Sequence, residues 1–191
     1  MLRLAAFLLL LLAPAIAAAA PQVYRLDADA STVSFEVSFG PDLITGTMPV
    51  LSADMTLDFD RPADSRVAVS LAAGRARASF PFATQALTGP NVLATADHPT
   101  IRFETTAFRA QPGPGARAEI DGTLTIRGVA RPVTLDAEIF RREGAADGDL
   151  SALSVELTTA VSRAAFGASG WADMVGDEVL IRIIARIDRA G

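Results

Sequence analysis

The chain has 191 residues, with 17 basic against 22 acidic side chains and a net charge of −5. All the cations are Arg, and this balance excludes a nucleic-acid binder that works through a basic face. A chain that is 50% hydrophobic is not disordered. Absence of Cys removes disulfides, thiolate metal sites and cysteine nucleophiles, and the single His98 excludes a multi-histidine site.

Residues 1–20 read as a signal peptide. Met1-Leu2-Arg3 is a short basic start, Leu4 to Leu12 is an almost pure Leu/Ala/Phe run, Pro14 breaks it, and Ala15 to Ala20 are mostly small. The run is too short for a bilayer span of about 20 residues. No Cys follows the cleavage region near Ala19 or Ala20, which excludes lipoprotein processing. The mature chain, 21–191, is expected to be one soluble domain in the bacterial periplasm.

Strand periodicity runs through the mature chain. After a short Val23–Leu26 segment, Val33, Phe35, Val37 and Phe39 alternate with polar residues. The same period of two recurs at Met55, Leu57 and Phe59; at Val67, Val69 and Leu71; and at Ile101 and Phe103. It continues at Ile120, Leu124 and Ile126; at Val133 to Ile139; at Val155 to Val161; and at Val179 to Ile187. Turns are signalled at Arg61-Pro62-Ala63-Asp64, at 112–115, at Arg127-Gly128-Val129 and at Gly144 to Asp149. Most connections are too short for a crossover helix, so neighbouring strands are expected to be antiparallel. Phe82 to Pro99 is the exception, a long connection with one or two helical turns at Ala83–Leu87 and Val92–Ala96. Eight or nine such strands form a sandwich or a closed barrel, and periodicity alone does not choose between them.

Searches for chemistry return little. No Ser stands in a Gly-x-Ser-x-Gly elbow. His98, between Asp97 and Pro99, reads as a loop residue rather than part of a triad. Asp54, Asp58 and Asp60 alternate onto one wet face, which suits a solvated edge better than a calcium loop. No catalytic residue, metal or cofactor is therefore expected. The inward face holds Phe35, Val37, Phe39, Leu57, Phe59, Phe103, Leu124, Ile126, Val161 and Ile183, which either pack as a core or line a cavity. Phe82, Leu87, Phe166 and Trp171 lie in the irregular segments expected to flank or close one end. Arg163 is the candidate cation for a polar head group, its alternative being an ion pair with Asp177 or Glu178.

Several stretches together resemble the YceI-like family of secreted lipocalin-like barrels. They are Tyr24 to Val37; Asp97-His98-Pro99-Thr100-Ile101; the hairpin Gly122 to Leu135; Ser162 to Gly167; and Val175 to Val179. The likeness covers nearly all of Tyr24 to Ile187. Departures are Ala30 and Phe39 where the family usually has His, Val92-Leu93 in place of an aromatic pair, and Thr88 in place of a base. The resemblance implies an all-β, antiparallel eight-stranded lipocalin-like barrel with short helical segments in the long connection. It also implies an apolar tunnel that binds a long-chain isoprenoid, quinone or fatty amphiphile, with no catalytic residues. The expected partners are that hydrophobic ligand and, transiently, a membrane or membrane protein, with the chain monomeric or homodimeric. The competing readings are a plugged barrel acting as an interaction or inhibitor module for a membrane redox system, and a hydrolase or isomerase.

Overall fold

The computed structural model describes residues 20–112 and 116–191. The expected leader, apart from Ala20, and the tip of the turn at 113–115 lie outside the described residues. Among the described residues no helix is long and apolar enough to cross a membrane.

Ten strands follow one another: β1 (Gln22–Phe39), β2 (Asp42–Thr47), β3 (Val50–Leu57), β4 (Arg66–Ala72), β5 (Arg77–Ala78), β6 (Thr100–Gln111), β7 (Ala116–Ile126), β8 (Val129–Arg141), β9 (Ala152–Ser162) and β10 (Val175–Arg189). One helix, α1 (Pro81–Thr88), stands between β5 and β6. All pairings are antiparallel, and β10 pairs back onto β1, which closes the sheet. Eight staves make up the ring. Two of them are broken midway: β2 and β3 meet at Met48-Pro49, and β4 and β5 are separated by a 3-10 turn, Ala73–Arg75. Closure leaves no long unpaired edge and gives every strand an inside and an outside.

The alternation read from the sequence sets those faces. Phe35 pairs with Ile181, Val37 with Val179, and Val179 in turn with Val161, so matching apolar side chains share the inner surface. On the outer face of β6 and β7, Arg109 bridges Glu119 and Asp121.

Three features of the fold were not apparent in the pattern. The Val23–Leu26 and Val33–Phe39 segments form one strand, joined across a bulge between Asp27 and Thr32. The bulge is held by polar side chains: Asp27 Oδ1 accepts the N–H groups of Asp29 and Ala30, and Ser31 Oγ accepts the Arg186 N–H. Strands β2 and β5 are short and interrupted by Gly or small residues, so they carry no legible period. The second expected helical stretch, Val92–Ala96, is a series of turns. Helix α1 starts at Pro81, where a missing N–H costs nothing, and stops at Gly89-Pro90.

The end of the barrel away from α1 holds the buried cluster Tyr24, Met55, Leu153 and Ile187. Tyr24 is 2% exposed, meets Phe59 edge-on at 6.0 Å, and donates its hydroxyl to the Leu150 carbonyl at 2.7 Å. Tyr24→Phe is expected to cost about 1–2 kcal/mol, because a shielded carbonyl loses its partner. Tyr24→Ala is expected to cost about 3–5 kcal/mol, because the ring goes as well. Urea unfolding of both variants checks the pair: an unchanged stability in Tyr24→Phe contradicts the hydrogen-bond assignment, and equal losses contradict the share given to the ring.

Candidate functional site

The interior is not filled. An inner cavity of about 260 Å³ occupies the middle of the barrel and the end away from α1. A second cavity, of about 210 Å³, occupies the other end and is continuous with the mouth. Both are lined almost wholly by apolar side chains, and among the described residues Arg163 is the one charged side chain that lines the mouth cavity.

Every apolar residue singled out from the sequence lines one cavity or the other. Val37, Phe39, Phe82, Leu87, Val161, Phe166 and Trp171 line the mouth cavity. Leu57, Phe59, Phe103, Leu124 and Ile183 line the inner one, and Phe35 and Ile126 line both. Two rings need close approach to a neighbouring strand. Phe35 lies over Gly46 and Phe103 over Gly122, and a methyl at either glycine would overlap the ring. Ile44 and Met48 of the broken stave also line the mouth cavity and were missed, because β2 has no readable alternation. Leu135 and Leu157 line the inner cavity and were within reach of the alternation along β8 and β9.

The mouth is built from two irregular segments tied to each other. Helix α1 turns Ala83, Ala86 and Leu87 inward, and Thr84 Oγ1 anchors it by accepting the Ala78 N–H at 2.9 Å. Arg127, in the two-residue turn between β7 and β8, donates to the carbonyls of Pro90 and Val92, each at 2.7 Å. The Gly170 N–H reaches the Asn91 carbonyl at 2.9 Å and joins the segment after α1 to the β9–β10 loop. Trp171 sits in that loop with φ +54°, a left-handed conformation costly for a bulky residue, and its indole lines the cavity while staying 36% exposed. Phe80, Phe82 and Met174 share this double placement, lining the cavity while exposed at its rim.

Arg163 is not a free head-group cation. It is 8% exposed, and four of its five N–H groups are spent on backbone carbonyls. Nε donates to Gly176 O at 2.8 Å, one terminal nitrogen to Ala168 O and Gly170 O at 2.7 Å each, and the other to Val175 O at 2.8 Å. The guanidinium thus binds the β9–β10 loop to itself. The ion pair considered as its alternative is absent from the close ion pairs of the described residues. Asp177 instead accepts the Ala164 N–H at 2.8 Å. Hydrogen bonds from Ser162 and Ala164, with Arg163 nearby, hold its carboxyl below the usual range.

Asp58 also departs from the reading of a wet edge. It lies past the end of β3, where alternation no longer applies, and is buried. Its carboxylate accepts the N–H groups of Asp60 and Arg61 and the Arg61 guanidinium, which lower its pKa, and so caps the turn into β4. Asp54 and Asp60 are exposed. Among the described residues no group of three or more His, Cys, Asp or Glu side chains is placed to hold a metal. His98 lies half-buried beside Gly128, in the turn entering β6.

A closed antiparallel barrel around apolar cavities, with a greasy mouth, defines a lipocalin-like barrel. The chain belongs to the YceI-like family, whose domain model matches residues 24–186. It is 27% identical over 120 residues to Protein YceI of Escherichia coli O157:H7, a match spanning 61% of each chain. Among solved structures it resembles Burkholderia cenocepacia BcnA, with TM-score 0.74 and 19% identity over 84% of this chain and 98% of that one. It also resembles a domain from Saccharophagus degradans described as polyisoprenoid-binding and implicated in plant cell wall breakdown. That likeness has TM-score 0.65 and 12% identity, over 88% of this chain and 99% of that one.

Two outcomes follow from the polar anchors. Arg163→Met keeps the stem and removes the donors, so several shielded carbonyls lose their partners; a loss of about 3 kcal/mol in urea unfolding is expected. Because Asp58 and Asp177 have depressed pKa values in the fold, their contribution is complete above the unfolded-chain value of about 3.9. It fades as pH falls through the lower folded values. Unfolding free energy measured against pH should therefore drop below about pH 4, and the drop should be shallower in Asp177→Asn.

Proposed function

We propose that the protein is a periplasmic binding or carrier protein for a long-chain isoprenoid, quinone or fatty amphiphile, held by its tail in the barrel. The unfilled interior carries this reading. At roughly 24 cal/mol per Å³ of cavity, leaving the inner space of about 260 Å³ empty and dry forgoes on the order of 6 kcal/mol. That is comparable to the whole stability margin of a typical domain, about 5–15 kcal/mol. A flexible tail restores the missing contacts and contributes about 0.8 kcal/mol for each methylene it buries. The two cavities are each below the roughly 300–1,000 Å³ of a common ligand pocket and reach that range when joined. The S. degradans domain, described as polyisoprenoid-binding, supports the same class of cargo.

Arg163 is committed to its loop, and among the described residues no other cation lines the mouth cavity. The polar end of the ligand stays at the rim, and the tail carries the affinity. Exposed Phe80, Phe82, Trp171 and Met174 suit transient contact with a membrane or membrane protein while cargo crosses the mouth. The function is binding and not catalysis. The periplasmic location rests on the three-part leader, and fractionation of cells expressing the full chain tests it. A plugged interaction module calls for a solid interior, and the two cavities speak against it.

Mass spectrometry of an organic extract of the purified protein is expected to show a lipid absent from a control protein prepared alongside. An extract matching the control, together with no uptake of added polyprenol, overturns the carrier reading. Trp171, the single Trp of the chain, reports on the mouth. A long-chain quinone is expected to quench its fluorescence saturably, and an unchanged spectrum removes Trp171 from the site.

A further inference from the structure

Resting on the carrier reading, we infer that the barrel measures its cargo. A waist at Phe35, Met48, Ile101, Ile126 and Ile181 divides the lumen into two chambers and sets the length of tail that is accepted. These five side chains line both the mouth cavity and the inner cavity. They come from β1, the break between β2 and β3, β6, β7 and β10, five of the eight staves, and mark where the two cavities meet. Phe35 and Ile181 face each other across the closing ladder. On its other side Phe35 is paired with Gly46 and lies over it, so the ring rests against the wall instead of across the passage. Met48 sits where the second stave breaks, and its N–H bonds the Val33 carbonyl at 3.0 Å. The break is what turns this side chain inward at the middle of the barrel.

All five side chains are apolar, so passage through the waist is selected by width and flexibility rather than by hydrogen bonding. A short tail is satisfied in the mouth chamber of about 210 Å³. A longer one gains further only by threading the waist into the inner chamber of about 260 Å³. The favoured cargo is a flexible chain long enough to occupy both chambers. A fused-ring lipid is confined to the outer chamber.

Binding of geraniol, farnesol and geranylgeraniol to the delipidated protein, by Trp171 fluorescence and calorimetry, tests this. While a tail is still entering apolar space, each added methylene tightens binding about fourfold. The wild-type protein is expected to gain through the whole series. Ile181→Phe, and independently Ile126→Phe on another stave, should lose the gain from the longer tails, each variant being measured against its own affinity for geraniol. Thermal unfolding identifies a variant that is simply misfolded, in which case the other supplies the answer. A folded waist variant with the wild-type length profile overturns the inference. So does a wild-type protein whose affinity already levels off at geraniol, and in both cases the carrier reading stands. A wild-type protein that binds no member of the series overturns the inference as well, and sinks the carrier reading with it only if the organic extract also matches the control.

Discussion

An interior that its own side chains fail to fill is the constraint on which the rest of this structure depends. Eight staves enclose a lumen just wide enough to hold packed side chains or one guest. Here glycines at the wall let rings lie flat, and Ala78 and Ala137 take places that larger residues would fill. The cost of the resulting space has to be met by an occupant or by stability elsewhere. The buried cluster around Tyr24 and the long ladder between β1 and β10 supply some of the latter.

Polar chemistry has been moved out of the lumen and into the scaffold of its two ends. Asp58 caps the turn at the end away from the mouth with its carboxylate. Arg163 gathers backbone carbonyls of the loop at the mouth, and Arg127 holds the segment after α1. In each case a charged side chain satisfies shielded main-chain groups where the chain leaves regular structure and no ladder is available to do so. A loop fixed this way can hold Trp171 in a left-handed conformation and present an indole to the cavity. The mouth is therefore greasy and at the same time well ordered by hydrogen bonds behind it.

Much of this was legible in the sequence because alternation with period two records which side of a wall each residue faces. Phe35, Val37, Leu57, Phe103, Leu124 and Ile126 were readable as inward for that reason. The closed ring was not, since a sandwich produces the same pattern; the family likeness of several stretches in order, from Tyr24 to Val37 through the hairpin Gly122 to Leu135 to Val175 to Val179, pointed to it. Alternation fails where strands break. Ile44 and Met48 lie beside Gly46 and Pro49, and their inward direction follows from pairing with β1, which no local pattern records. It fails again past strand ends, where Asp58 turns in instead of out. Arg163 was misjudged for another reason: a lone cation near a pocket looks available until the carbonyls that claim it are known, and those belong to residues up to thirteen positions away.

The ring is completed by its first and last strands, with Val33 opposite Ile183 and Tyr24 opposite Arg189. Such a contact spans almost the entire polypeptide, and the entropy of bringing those segments together is lost before the contact returns anything. Assembly should accordingly be slow for a protein of this size. Until the C-terminal strand docks, the hydrophobic face of every earlier strand stays open to self-association. The wall around the lumen is complete only after that final docking, so the cavity itself is the last feature of the molecule to form.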